Sequence, residues 1–358
     1  MVRDAAPTSG QSPAALAASA DAAVRASPRY AVLGAGSWGT CLALHLGRAG
    51  MDVSLWPRDP HQAREIAAVR ENRRYLPGHL LPASVRVSGE LEETLSGATR
   101  VIIAVPSQHC RPVLRSASGH LGANAVLVVA AKGIETGTLA VVTSVAREEM
   151  GERPAAVLSG PSFAIEVARG DPTAVVIASD NPGVALALQR EISHGTLRLY
   201  TNGDPLGVQL AGALKNVFAV AAGVIGGLGF GSNTAAALIT RSLAEMRRLG
   251  VALCGRPETF EGLAGLGDLV LTCTGALSRN RRLGEQLARG RPLPEILSET
   301  TQVVEGVETS ISARDLAMSQ GVEMPIVAQV HAVLHEGRPP REAISDLMSR
   351  RLRGEEEA

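Results

Sequence analysis

The chain has 358 residues, 45% of them hydrophobic and only 3% aromatic, with 35 basic and 35 acidic side chains. That length predicts two domains, and the cores must be built from Ala, Val, Leu and Ile. A net charge of zero argues against a general nucleic-acid or membrane-surface binder, both of which need a basic excess, but it leaves room for a local basic pocket.

Residues 1–28 are rich in Ala, Ser and Pro and carry Asp4 and Asp21. They lack a basic head followed by an apolar stretch, so no secretory signal is expected, and a disordered extension is. No uninterrupted apolar run reaches the roughly 18–20 residues that span a bilayer. Cys41, Cys110, Cys254 and Cys273 form no CxxC pair, and none has a His at metal-ligand spacing. They predict ordinary small buried thiols in a reduced cytoplasmic protein, with no metal site.

From Arg29 onward, short apolar strands alternate with helical stretches. Strands are predicted at Tyr30–Leu33, Val53–Trp56, Arg100–Val105, Ala125–Val129, Ala155–Leu158 and Thr173–Ala178, with helices such as Ser37–Ala49 and His61–Glu71 between them. This is the pattern of an α/β doubly wound parallel sheet covered on both faces, a Rossmann-type domain over 29–203. The turn residues 201–205 mark the change of pattern. Beyond them only helices are expected: Val208–Val224, Ala235–Leu249, Arg281–Ala288, Thr309–Gln320 and Met324–Glu336. These form an all-α domain over 204–350, followed by a frayed tail over 351–358.

The first strand runs into Gly34, Gly36 and Gly39 in G-x-G-x-x-G spacing, and a helix pattern follows. In that context Gly34 makes the tight turn, Gly36 lets a pyrophosphate approach, and Gly39 lets helix and strand pack closely. The amides of Ser37 and Trp38 lie at the helix N-terminus, where a phosphate is favoured. After the second strand come Arg58 and Asp59. Arg58 favours the 2′-phosphate of NADP(H), and Asp59 leaves NAD(H) open.

Ligands of open α/β sheets bind outside the carboxyl ends of the strands. Val105-Pro-Ser-Gln108 and Ala131-Lys-Gly133 occupy two such ends. Leu158-Ser-Gly-Pro-Ser-Phe-Ala164 runs from a third into a helix start, a second expected anion site. In the helical half stand Leu214-Lys-Asn216, Gly265-Leu-Gly-Asp268 and Ser278-Arg-Asn-Arg-Arg282.

Taken together, GAGSWGT, YLPG, VPSQ, AKGIE, SGPSFA, GVQLAGALKN, AGLGDLVLTCT, SRNRR and QVVEG resemble, in order and over about residues 29–350, the soluble prokaryotic-type NAD(P)-dependent glycerol-3-phosphate dehydrogenases. The resemblance implies a Rossmann domain joined to an α-helical domain, with the site between them. It implies reversible hydride transfer between NAD(P)H and dihydroxyacetone phosphate, yielding sn-glycerol 3-phosphate for phospholipid synthesis, and a homodimer without stable membrane insertion. By matched position Lys215 is the general acid/base. Lys132 is shared by cofactor and substrate. Gly160, Ser162, Asp268, Ser278, Arg279 and Asn280 contact substrate. Ala164, Tyr75, Arg279, Val303 and Glu305 join the glycine turn and Arg58 on the cofactor. The family often has Thr where Ser162 stands, and the hydroxyl is kept. Two rivals remain at this level: a β-hydroxyacid dehydrogenase-like reductase, which the basic SRNRR run disfavours, and a non-catalytic NADP(H) sensor.

Overall fold

The computed structural model describes residues 28–352 and Gly354. The predicted N-terminal extension lies outside the described residues but for Pro28, as does most of the predicted tail. Eight strands form one sheet: β1 (Arg29–Leu33), β2 (Asp52–Trp56), β3 (Val85–Val87), β4 (Arg100–Ile103), β5 (Val126–Val129), β6 (Ala155–Ser159), β7 (Thr173–Ala178) and β8 (Leu197–Asn202). Their order is β3-β2-β1-β4-β5-β6-β7-β8. β1 and β4 run parallel, and the order in which successive strands are added reverses between them, the topological switch point of a doubly wound sheet. The central strands β4 (RVII) and β5 (VLVV) are buried along their whole length, because helices cover both faces.

The sheet corrects the sequence reading in three places. It is not wholly parallel: β7 pairs antiparallel with β6, and β8 then runs parallel to β7. The helix between β6 and β7, Ala164–Arg169, has six residues. It rises only about 9 Å, whereas a five-residue strand is about 17 Å long. The chain therefore does not return to the start of the sheet, and β7 sets off from the end where β6 stopped. Second, the edge strands β3 and β8 were not anticipated. β3 is three residues long with an exposed Arg86, and β8 turns Arg198 and Tyr200 outward, so neither reads as an apolar run. Third, β4 stops at Ile103, where the chain bends to pass Gly34.

From Pro205 onward the described residues form helices and no strand. The central helix, Pro205–Gly227, starts where Asp204 accepts a hydrogen bond from the amide of Gly207 at 2.8 Å. By length and composition this helix is apolar enough to cross a membrane, which a count of uninterrupted apolar residues overlooks. Here it is buried among Ser232–Ala252, Asp268–Thr274, Arg279–Ala288 and Glu305–Ser319. Glycines allow the tightest of these crossings. A Cβ on Gly223 would lie 1.9 Å from the Arg281 carbonyl oxygen, and one on Gly284 would lie 2.0 Å from that of Val220. Gly284→Ala is expected to destabilise the fold by about 1–3 kcal/mol through overpacking. An unchanged melting temperature would show that the two helices separate without cost.

Four short helices of this half escaped the periodicity reading: Pro257–Glu261, Asp268–Thr274, Leu293–Ser298 and Pro340–Met348. The four cysteines are free thiols, but Cys254 is exposed at a helix end rather than buried.

Candidate active site

β1, β4, β5 and β6 are neighbours. The segments leaving their carboxyl ends, which carry Gly34, Ser107, Lys132 and Gly160, therefore line one edge of the sheet. Gly34 has a φ of +106°, its amide donates to the Trp56 carbonyl at 2.9 Å, and a Cβ there would lie 2.9 Å from the Ala104 backbone. A Cβ on Gly39 would lie 1.9 Å from the Gly34 carbonyl oxygen. Both positions demand glycine for packing. Gly36 differs, since a Cβ there would meet nothing within 4 Å. It precedes the twelve-residue helix Ser37–Arg48, which no side chain caps. An open backbone beside uncapped helix amides fits the pyrophosphate of a dinucleotide.

At the adenosine end of such a ligand the two candidate residues differ in how they are engaged. Asp59 caps the helix Pro60–Val69, accepting from the His61 amide at 2.9 Å. Arg58 is exposed and makes no hydrogen bond or ion pair among the described residues. Tyr75 is half-buried under the guanidinium of Arg74, 5.2 Å above its ring. Asn72, which the sequence reading passed over, ties this segment to the glycine turn. Its side chain donates to the Ala35 carbonyl at 2.8 Å and to Thr40 Oγ1 at 2.7 Å.

The densest polar cluster joins the sheet half to the helical half. Asp268 is fully buried. Its Oδ2 accepts from Lys132 Nζ at 2.7 Å and its Oδ1 from Lys215 Nζ at 2.5 Å. Lys132 Nζ also donates to the Gly160 carbonyl at 3.1 Å, and Lys215 Nζ to Thr272 Oγ1 at 2.9 Å. Burial alone would raise the Asp268 carboxyl, but the two ammonium groups outweigh it and hold it below the usual carboxylate range. Lys215 is pushed down to about 8, first by burial and further by the charge of Lys132, with Asp268 opposing. One carboxylate between two lysines leaves a net positive charge, which suits a phosphorylated ligand.

Asp268 was expected in a glycine-rich turn. It instead opens the helix Asp268–Thr274, directly after a π-helical turn over Leu263–Gly267. Because it is helical, Thr272 stands one turn on, at i+4, and shares its face. Thr272 was therefore missed: the spacing was present, but the helix that gives it meaning was not foreseen.

Gly160 has a φ of +138°, and a Cβ on it would lie 3.0 Å from Val175 Cα. Its carbonyl also accepts from Ser162 Oγ at 3.0 Å. The helix that opens at Ala164 has six residues and carries Glu166 in its first turn, a charge that opposes an anion at its N-terminus. Ser278 is buried, and its hydroxyl caps the next helix by accepting from the Arg281 amide at 3.2 Å. Asn280 donates to Asn216 Oδ1 at 2.9 Å and accepts from the Gly306 amide at 2.9 Å, joining three helices beside Lys215. Asn216 is a second residue without a foreseen role.

Arg279 is exposed and donates to the carbonyl of Val303 at 2.7 Å, which brings these two predicted residues together. Glu305 accepts from Ser107 Oγ at 3.1 Å, so it links the end of β4 to the helical half. Crowding by protein pushes its carboxyl up to about 7, against the Ser107 hydrogen bond and the charge of Arg279. Among the described residues no group of His, Cys, Asp and Glu could hold a metal ion.

Comparison with known proteins agrees with this arrangement. Residues 29–185 match the family profile for the NAD-dependent glycerol-3-phosphate dehydrogenase N-terminus, and residues 204–345 match the C-terminus profile of that family. A glycerol-3-phosphate dehydrogenase [NAD(P)+] from Geobacter sulfurreducens is 50% identical over 332 residues, covering 92% of this chain and 99% of the relative. That of Geobacter sp. (strain M21) is 49% identical over 330 residues, covering 91% and 98%. The crystal structure of glycerol-3-phosphate dehydrogenase from Coxiella burnetii superposes with a TM-score of 0.88 at 41% identity, covering 90% of this chain and 99% of that one. With both halves matched and relatives this similar along nearly their full length, the chain belongs to the NAD-dependent glycerol-3-phosphate dehydrogenase family.

Proposed function

We propose that the chain catalyses reversible reduction of dihydroxyacetone phosphate to sn-glycerol 3-phosphate with NADPH or NADH, and that Lys215 is its general acid/base. The observation that carries this reading is the buried Lys215, lowered to about 8 and sharing Asp268 with Lys132. A lysine serves as acid and base near neutral pH only when its pKa is brought down in this way.

When bound, the nicotinamide supplies or accepts the hydride. In reduction Lys215 donates a proton to the substrate C2 oxygen; in oxidation it removes one from the same oxygen. Lys132 polarises that oxygen or holds the phosphate, with Gly160 and Ser162 shaping the turn beneath it. Asp268 keeps the two ammonium groups together. Arg279, with Asn280 and Ser278 behind it, gives a forked donor for phosphate oxygens. On the cofactor side, Ser37, Trp38 and the three glycines take the pyrophosphate, Arg58 and Tyr75 the adenosine end, and Ala164, Val303 and Glu305 the nicotinamide end.

The reading divides the chain into a dinucleotide-binding unit, 29–203, and a substrate unit, 204–350. It places the protein in the cytoplasm as a homodimer, on family resemblance.

The test is oxidation of NADPH and NADH with dihydroxyacetone phosphate; no turnover with either cofactor would sink the reading. With Asp59 engaged as a helix cap and Arg58 unengaged, the loop after β2 favours NADPH. Arg58→Ala is expected to raise KM for NADPH by about tenfold, the worth of one charge-assisted hydrogen bond, and to leave KM for NADH nearly unchanged. Equal effects on both cofactors would show that Arg58 does not read the 2′-phosphate.

A further inference from the structure

The residues that follow Lys132 are held one by one. Gly133 packs so closely on Ser107 that a Cβ would lie 2.2 Å from its Oγ. The buried carbonyl of Ile134 accepts from Gln108 Nε2 at 2.9 Å and from Ser312 Oγ at 3.0 Å. The Glu135 carboxylate is gripped by Arg111 through bonds of 2.7, 2.9 and 3.1 Å. The Thr136 amide donates to Gln108 Oε1 at 2.9 Å.

Gln108 thus uses both ends of its amide to span the segment. It lies just after β4, in the sheet half, whereas Ser312 lies on Glu305–Ser319, in the helical half. A buried carbonyl needs one partner. Ile134 has two, one from each half, only two residues from Lys132. The Lys132 ammonium must reach Asp268 across the junction of the halves, and its reach is set by where its backbone stands. Displacement of such a group by about an ångström costs catalysis heavily.

We propose that Gln108 and Ser312 are positioning residues: by converging on the Ile134 carbonyl they place the Lys132 ammonium against Asp268 and the substrate, and tie that placement to the register of the two halves. The proposal rests on the reading of Lys132 as a substrate-contacting residue.

A double-mutant cycle tests it, with kcat/KM for dihydroxyacetone phosphate as readout. Gln108→Ala alone is expected to lower kcat/KM by about 10- to 100-fold, with a much smaller rise in KM for NADPH, because the glycine turn that takes the pyrophosphate is untouched. In a Lys132→Met background the same substitution is expected to cost less than about twofold more, since the group it positions is gone. A merely structural role predicts that the two losses multiply. Ser312→Ala enters from the opposite half and should show the same non-additivity. Gln108→Glu keeps the acceptor for Thr136 and loses the donor to Ile134, and provides the measurement if Gln108→Ala does not fold.

Full multiplication of the losses, or normal kcat/KM for both Gln108→Glu and Ser312→Ala, overturns the proposal while leaving the enzyme assignment intact. Normal kcat/KM for Lys132→Met overturns the role of Lys132 and the proposal with it. Non-additive losses from both sides support it.

Discussion

Replacing Lys215 with alanine is expected to lower kcat for dihydroxyacetone phosphate reduction by about two to four orders of magnitude, the usual contribution of a positioned acid or base. KM for NADPH should change little, because the glycine turn and Arg58 lie on other elements. The same lysine predicts opposite pH dependences for the two directions. Its ammonium is the acid in reduction, so kcat/KM for dihydroxyacetone phosphate should fall as pH rises through about 8. Its neutral amine is the base in oxidation, so kcat/KM for glycerol 3-phosphate should rise through the same region. Activity of Lys215→Ala within tenfold of wild type would remove Lys215 from the chemistry. A wild-type profile with the same slope in both directions would remove it as the proton carrier.

Asp268→Asn is expected to have the second largest effect. The carboxylate is fully buried and is the counter-charge within hydrogen-bonding distance of both Lys132 and Lys215. An amide has nearly the same shape but no charge, so two ammonium groups would face each other without compensation. Breaking one partner out of a buried ion pair costs about 3–5 kcal/mol. Much of that cost can be relieved if Lys215 gives up its proton, because neutral Lys215 no longer repels Lys132. The pH at which reduction is lost should therefore move below the wild-type position near 8, and activity at neutral pH should fall with it. Recovery of activity on acidification, in a variant that melts cooperatively, would distinguish this electrostatic effect from unfolding. An unmoved pH profile would show that Asp268 does not set the charge of Lys215.

How much could be read without the fold depended on the range of the interaction. The glycine turn was legible because much of what it needs is local, a positive φ at Gly34, the approach of Gly39 to the Gly34 carbonyl and an open backbone at Gly36, although the Ala104 crossing over Gly34 is not. The central strands were legible because β4 and β5 are buried on both faces and are apolar but for Arg100, whose guanidinium pairs with Glu191. The edge strand β8 was not, since its outward residues answer to water rather than to the core. Asp268 was recognised, but its helix was hidden by glycines that serve a different purpose. A Cβ on Gly265 would lie 2.0 Å from the Phe260 carbonyl oxygen, so that glycine marks a tight π-helical turn rather than a loop. Thr272 and Asn216 went unassigned because their significance lies in contacts with residues 57 and 64 positions away, Lys215 and Asn280.

By itself, the order of motifs along the chain determined the family, and the apolar patterning determined the sheet half followed by the helical half. These depend on local backbone geometry and on apolar periodicity, which are written residue by residue. The tertiary structure decided which of those residues act together. It set Lys132 and Lys215 on one carboxylate, turned Asp59 into a helix cap and left Arg58 unengaged, reversed β7, and brought Gln108 and Ser312 to a single carbonyl. The two-lysine carboxylate and the doubly held carbonyl follow from side chains far apart in sequence meeting in a buried place, where charges must be paired and every polar group must find a partner, whereas the Asp59 cap is a contact two residues long and β7 reverses because the helix before it is short.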